Sequence, residues 1–228
     1  VLIPRERYPD AAVRKRELRP LHSPKAERVL RVPLNAGSRA WKMQHLAREA
    51  HVSLGQVANV KRLLLDREWA ESAADGLRLR SPGDAVLPLL TGWASSCRAE
   101  RNRAQQYDTM QTPPEIEAEL CSNHAVALTA LSGAVRLAPA VRYQRVTAYV
   151  EGDTAGAAGS VGLRRVTGGG NVVLLIPYDE GVFHGGRVVD GVRVISPVQL
   201  YLDLAGIKGR GEKAAQPILH DVIKPLWQ

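Results

Sequence analysis

The chain has 228 residues, 45% of them hydrophobic, enough to bury one large or two small cores. Its longest apolar run, VVLLIP at Val172–Pro177, is too short for a membrane span, and the N-terminal VLIPRERYPD has no signal-type apolar region, so a cytoplasmic protein with no membrane partner is expected. The net charge of +8 is uneven: residues 1–107 hold 20 Lys and Arg against 11 Asp and Glu, and residues 108–228 hold 11 against 12.

A basic half of this kind either meets a polyanion or is a solvated, arginine-rich surface, and charge alone leaves both open. The two cysteines, Cys97 and Cys121, make neither a disulfide framework nor a metal pattern. The first residue is Val1, which reads as the start of a fragment or a processed form.

Residues 1–22 are basic and poorly periodic, and are read as an arm or the remnant of an upstream segment. SPKAERVLRVPL then predicts a helix with Ser23 as cap and Pro24 at its first position, ended by Pro33. SRAWKMQHLAREA predicts a second helix capped near Ser38, with Met43, Leu46, Ala47 and Ala50 at helical spacing. A third, VSLGQVANVKRLL, starts at Ser53, with Gln56 placed for a capping box. REWAESAADGLRLRSP reads as a hairpin turning at Asp75-Gly76. Three helices followed by a hairpin is the order of a winged helix-turn-helix.

The third helix has two faces at 100° per residue. Val57, Val60 and Leu64 share one, with Leu54 and Leu65 beside it; Gly55, Gln56, Asn59 and Arg62 share the other. Gln and Asn can pair with adenine, and Arg with guanine, so Gln56, Asn59 and Arg62 are the candidates for base edges. Ser53, Gly55, Lys61, Lys42 and the wing residues Arg78 and Arg80 are the candidates for phosphate. His51 occupies the turn where such motifs often place a glycine in the left-handed conformation, a less comfortable fit.

Beyond the wing, PGDAVLPLLTGWASSCRAERNRAQQY reads as a connecting helix, and MQTPPEIEAEL as a break followed by a short helix. ALTALSGAVRLAP looks helical, QRVTAYVEG and GNVVLLIP look like strands, and RVVDGVRVIS reads as a hairpin at Asp190-Gly191. PVQLYLDLA and RGEKAAQPILHDVI predict closing helices.

WKMQHLAREAHVSLGQVANVKRLLLDREW resembles the winged-helix region of AbiEi-type transcriptional regulators, the antitoxins of type IV toxin–antitoxin systems. ALTALSGAVRLAP, QRVTAYVEG and VISPVQLYLDLAGIKGRGEKAA are similar to the C-terminal domain of that family. The resemblance covers most of residues 23–224. It implies a regulator of its own promoter whose C-terminal domain counters a nucleotidyltransferase-like toxin.

An enzyme is the alternative. SGAVRLAP…VTAYVEGD echoes nucleotidyltransferase order, with Ser132-Gly133 before a strand ending in Glu151 and Asp153. A strand-end turn with solvated acids is the better explanation of those residues. TGGGN precedes a strand and reads as a hairpin loop, and GIKGRGEK lacks a P-loop ending. Asp203 is read as a local cap or pair. No nucleophile–base set, cofactor motif or metal spacing emerges, so no enzyme, cofactor or metal is expected.

The sequence therefore predicts an α+β protein. A winged helix-turn-helix domain at 23–81 is followed by a connecting helix at 82–107 and a mixed α/β C-terminal domain at 108–228. The expected function is sequence-specific double-stranded DNA binding as a repressor of its own operon. A cognate toxin and a homodimer are the possible protein partners; a nucleotidyltransferase-like enzyme or a DNA-maintenance protein is the alternative.

Overall fold

The computed structural model describes residues 19–96, 102–123, 126–139 and 141–227. The predicted arm up to residue 18, and Cys97, lie outside the described residues. The last part of that arm, Arg19–His22, forms a 3₁₀ turn whose Leu21 is fully buried.

Helix α1 spans Pro24–Ala36 and does not stop at Pro33. Burial of Val29, Leu30, Val32 and Leu34 around the proline holds the helix together, and it ends where Gly37 adopts φ 72°. Helix α2 (Met43–Glu49) begins later than predicted, with Lys42 rather than Ser38 before its first turn. The intervening Trp41 instead bridges Leu77 of the wing through paired backbone hydrogen bonds of 2.8 and 2.9 Å. Helix α3 spans Leu54–Asp66, and strands β1 (Ala70–Ala73) and β2 (Gly76–Leu79) pair antiparallel behind it. Gly76 sits at φ 138° with the Trp41 carbonyl against its Cα, a position that tolerates no Cβ.

The predicted connecting helix is partly wrong. Helix α4 covers only Leu87–Ser96, and RAQQYD at Arg103–Asp108 forms β3. Helix α5 (Pro113–Asn123) follows the double proline, and β4 (Val126–Leu128) takes the start of a segment expected to be all helix, leaving α6 at Ala130–Leu137. Then come β5 (Val146–Val150), α7 (Thr154–Ser160), β6 (Arg164–Val166), β7 (Val172–Ile176), and the hairpin β8 (Arg187–Val189) and β9 (Val192–Val194). Helices α8 (Pro197–Ala205) and α9 (Arg210–Pro217) close the fold.

Strands β3 to β9 make one mixed sheet in the order β6-β3-β7-β5-β4-β9-β8. Strand β3 lies between β6 and β7, so TGGGN is not a hairpin loop but a passage over β3, where Gly170 packs against the Tyr107 carbonyl. The RVVDGVRVIS hairpin forms as expected, with Asp190 at φ 49° and Gly191 at φ 78°.

The two sheet faces are covered differently. One core, around Ile116, Leu120, Val146 and Leu174, lies with α5 and α7. The other runs without interruption from the sheet through α8 into α1, α2, α3 and the wing, joining Leu200 and Ile223 to Leu30, Val60 and Leu77. Helix α8 is buried almost all round because it packs on both the sheet and α1. Its VQLYL run has too many apolar residues for a surface helix.

Candidate nucleic-acid interface

Helix α3 is built from its cap outward. Ser53 is extended at φ −71°, ψ 154°, and its Oγ accepts a 3.3 Å hydrogen bond from the Gln56 backbone N–H, closing one of the free donors of the first turn. Just before it, His51 lies at φ 52°. The left-handed residue that a sharp helix-turn-helix corner requires is thus supplied by a histidine, which carries part of the strain a glycine would avoid.

On α3, Val57, Val60 and Leu64 are buried, as expected, and Leu54 is half exposed. Gly55, Asn59 and Arg62 are exposed and Gln56 is partly so. A Cβ added at Gly55 would touch only Ser53 Oγ, at 3.9 Å, so the protein's own packing does not demand glycine there.

The basic residues separate into free and engaged groups. Lys42 is exposed immediately before α2, and Lys61 is partly buried beside the core face. In the wing, Leu77 and Leu79 point into the core, which turns Arg78 and Arg80 outward. Arg78 is held by Asp75 at 3.1 Å and lies 4.0 Å from Glu71. Arg80 is exposed and has no ion pair among the described residues. Arg39, which periodicity did not single out, lays its guanidinium over the Trp41 ring at 4.5 Å, three residues before Lys42. An arginine two residues from a tryptophan was the available signal.

The residues of the nucleotidyltransferase echo are spent elsewhere. Ser132 is fully buried, donates to the Thr129 and Thr147 carbonyls and accepts from the Thr147 N–H. Asp153 caps α7 through the Ala155 and Gly156 N–H groups, which hold its carboxyl below the usual range. Glu151 pairs with Arg193 at 2.6 Å. Among the described residues no three His, Cys, Asp or Glu side chains are grouped to hold a metal ion.

Asp203 pairs locally with Gln199, one turn back, as expected, but its carboxylate also reaches beyond its own helix. Its carboxylate accepts from Thr129 Oγ1 at 2.6 Å, Gln199 Nε2 at 2.8 Å and Tyr149 OH at 3.1 Å, tying α8 to the start of α6 and to β5. Burial pushes its pKa up to about 6 against those three donors. Gln199 in turn leads to Arg31 on α1, so the DLA end of the α8 segment reaches the N-terminal helices.

A family described as transcriptional regulator, AbiEi antitoxin, type IV TA system matches residues 86–224. The chain belongs to the AbiEi family. The matched region takes in the whole seven-stranded sheet and helices α4 to α9, including the Asp203 network. It begins after strand β2, so helices α1 to α3 and the β1–β2 hairpin lie outside the matched region. Comparisons with curated proteins and with solved structures gave no match. Membership makes the protein a transcriptional regulator or antitoxin of the type IV kind, and no described helix is long and apolar enough to cross a membrane.

Proposed function

We propose that the chain binds double-stranded DNA in a sequence-specific way and represses its own operon. Gln56, Asn59 and Arg62 read base edges in the major groove. Ser53, Gly55, Lys42, Lys61, Arg78 and Arg80 meet phosphate. The observation that carries this reading is the division of α3: Val57, Val60 and Leu64 face the core, while Gly55, Asn59 and Arg62 face solvent behind a left-handed turn at His51. Family membership supports the regulatory role, and the +9 balance of residues 1–107 supports a polyanionic partner.

The C-terminal domain is assigned the antitoxin role on family grounds, with a cognate toxin as its partner, and a homodimer would suit a palindromic operator. The test is selection of DNA from a random pool with the full chain, followed by titration of the selected sequence against salt. A consensus with a steep negative salt slope is expected; retention of DNA without sequence preference would remove the base-reading roles.

A further inference from the structure

A cavity of about 640 Å³ opens between the helix-turn-helix and the sheet. Glu49 and His51 come to it from the turn, Val150 and Ile176 from the carboxyl ends of β5 and β7, and Phe183 and His184 from the 3₁₀ turn at Glu180–Phe183. Strands β5 and β7 are parallel neighbours, and the crevice beyond the carboxyl ends of such strands is where open α/β sheets take ligands. The volume lies within the roughly 300–1,000 Å³ of small-molecule sites, and the walls are mainly apolar.

Charge decides the class of occupant. Arg28 is fully committed: Nε and Nη2 donate to Asp179 at 2.8 Å each, and Nη1 donates to Glu180 at 2.5 Å. Arg193 is committed to Glu151 and lies over the Phe183 ring at 5.3 Å. Of the charged residues lining the cavity, Glu180 and Glu151 are paired with Arg28 and Arg193, Arg28 is further held by Asp179, and Glu49 has no ion pair among the described residues. Burial favours the neutral imidazole at His184. A phosphate or carboxylate entering here finds the Arg28 and Arg193 guanidiniums already paired with carboxylates. An ammonium finds Glu49 at the mouth and apolar surface behind it.

We propose that this cavity binds a small organic cation, an amine whose apolar body lies against Val150, Ile176 and Phe183 and whose ammonium pairs with Glu49. Occupancy reaches the DNA-reading helix through His51, the left-handed residue of the turn, so the amine is an effector of operator affinity. The effect on DNA rests on the function proposed above; the binding itself does not. An effector shifts operator affinity only by the difference between its own affinities for the two states, and contact with the turn is what supplies a difference.

The test uses the full chain without DNA first. Tryptamine and 3-phenylpropylamine are titrated by calorimetry beside the matched acids indole-3-propionate and 3-phenylpropionate. The amines are expected to bind at least about tenfold more tightly than the acids, and Glu49→Lys, at an exposed position, is expected to reverse that order. Equal binding of amines and acids, no binding of either amine up to about 5 mM, or an unchanged order in Glu49→Lys overturns the site. Binding of an Arg/Lys-rich peptide that Glu49→Lys abolishes, with neither amine binding, would assign the cavity to a protein partner and overturn the small-molecule reading. With the site established, a saturating amine is expected to change the affinity for the selected DNA at least about threefold; an unchanged affinity overturns the coupling alone.

Discussion

Arg31 on α1 and Gln199 on α8, 168 residues apart, are joined by two hydrogen bonds to one atom. Nη2 and Nε of Arg31 donate to Gln199 Oε1 at 2.5 and 3.1 Å. Both residues are buried, and Arg31 also donates to Tyr178 OH at 2.9 Å, lies 3.8 Å from Glu27 and stacks over Trp93 at 4.8 Å. Gln199 passes the chain on to Asp203, so a polar path crosses the apolar core between the N-terminal helices and the sheet.

Arg31→Ala is therefore expected to lower stability by about 3–5 kcal/mol, because the buried Glu27 carboxylate loses its counter-charge and keeps only neutral partners such as the Tyr178 hydroxyl. The double change Glu27→Gln with Arg31→Met keeps volume and removes both charges, and should recover most of the loss. Urea denaturation of the three proteins checks this. An Arg31→Ala protein of unchanged midpoint would show that the path carries no stability.

His51 holds a left-handed backbone without being glycine. His51→Gly is expected to raise stability by about 0.5–1 kcal/mol, and His51→Val to lower it by more than that, since a β-branched residue fits φ 52° worst. Thermal unfolding of the pair gives the sign. Equal transitions would mean that the corner relaxes away from the left-handed region.

The reading and phosphate roles separate in DNA binding. Arg62→Ala should cost about 1–3 kcal/mol on the selected sequence and relax preference at one base pair. Arg80→Ala should weaken all sequences alike and reduce the salt slope by about one. Because Arg78 is already held by Asp75 and Glu71, its alanine variant should change the slope less than that of Arg80. Gel-shift titrations at several salt concentrations distinguish the three, and a larger effect at Arg78 would reverse the assignment.

Two groups give stability opposite pH dependences. Asp203 has a folded pKa of about 6, above its ordinary 3.8, so the folded state binds the extra proton in that interval. Its stabilising contribution is full below the ordinary value and is lost as pH rises through about 6. His184 is lowered from 6.5 by burial, so its contribution is present above that value and is lost as pH falls. Comparing the parent chain with Asp203→Asn isolates the first effect: relative to the variant, the parent should lose stability from pH 4 to 6. Parallel pH curves would show that Asp203 does not titrate in that window.

Local chemistry carried much of this protein openly in its sequence. The two faces of α3, the Ser53 cap, the Asp75-Gly76 wing turn and the Asp190-Gly191 hairpin all follow from neighbours a few residues apart, and each took the form expected of it. The outward placement of Gly55, Asn59 and Arg62 was legible for the same reason, since a helical wheel needs no partner. Where the expected boundaries failed, a distant contact had decided the outcome. Burial around Pro33 kept α1 intact through a proline, the bridge of Trp41 to Leu77 drew that residue out of α2, and the edges of β6 and β7 turned Arg103–Asp108 from an expected helix into β3.

The path from Arg31 through Gln199 to Asp203, and the cavity between His51 and His184, had no signal in sequence order at all. The path exists because α8 brings Gln199 and Asp203 against Arg31 of α1 and Tyr149 of β5, and the cavity because the turn before α3 meets the carboxyl ends of β5 and β7. Periodicity along a chain reports which face of an element is apolar, and the sequence determined that much here. Which element that face meets depends on packing between parts of the chain more than a hundred residues apart, and only the tertiary structure decided it.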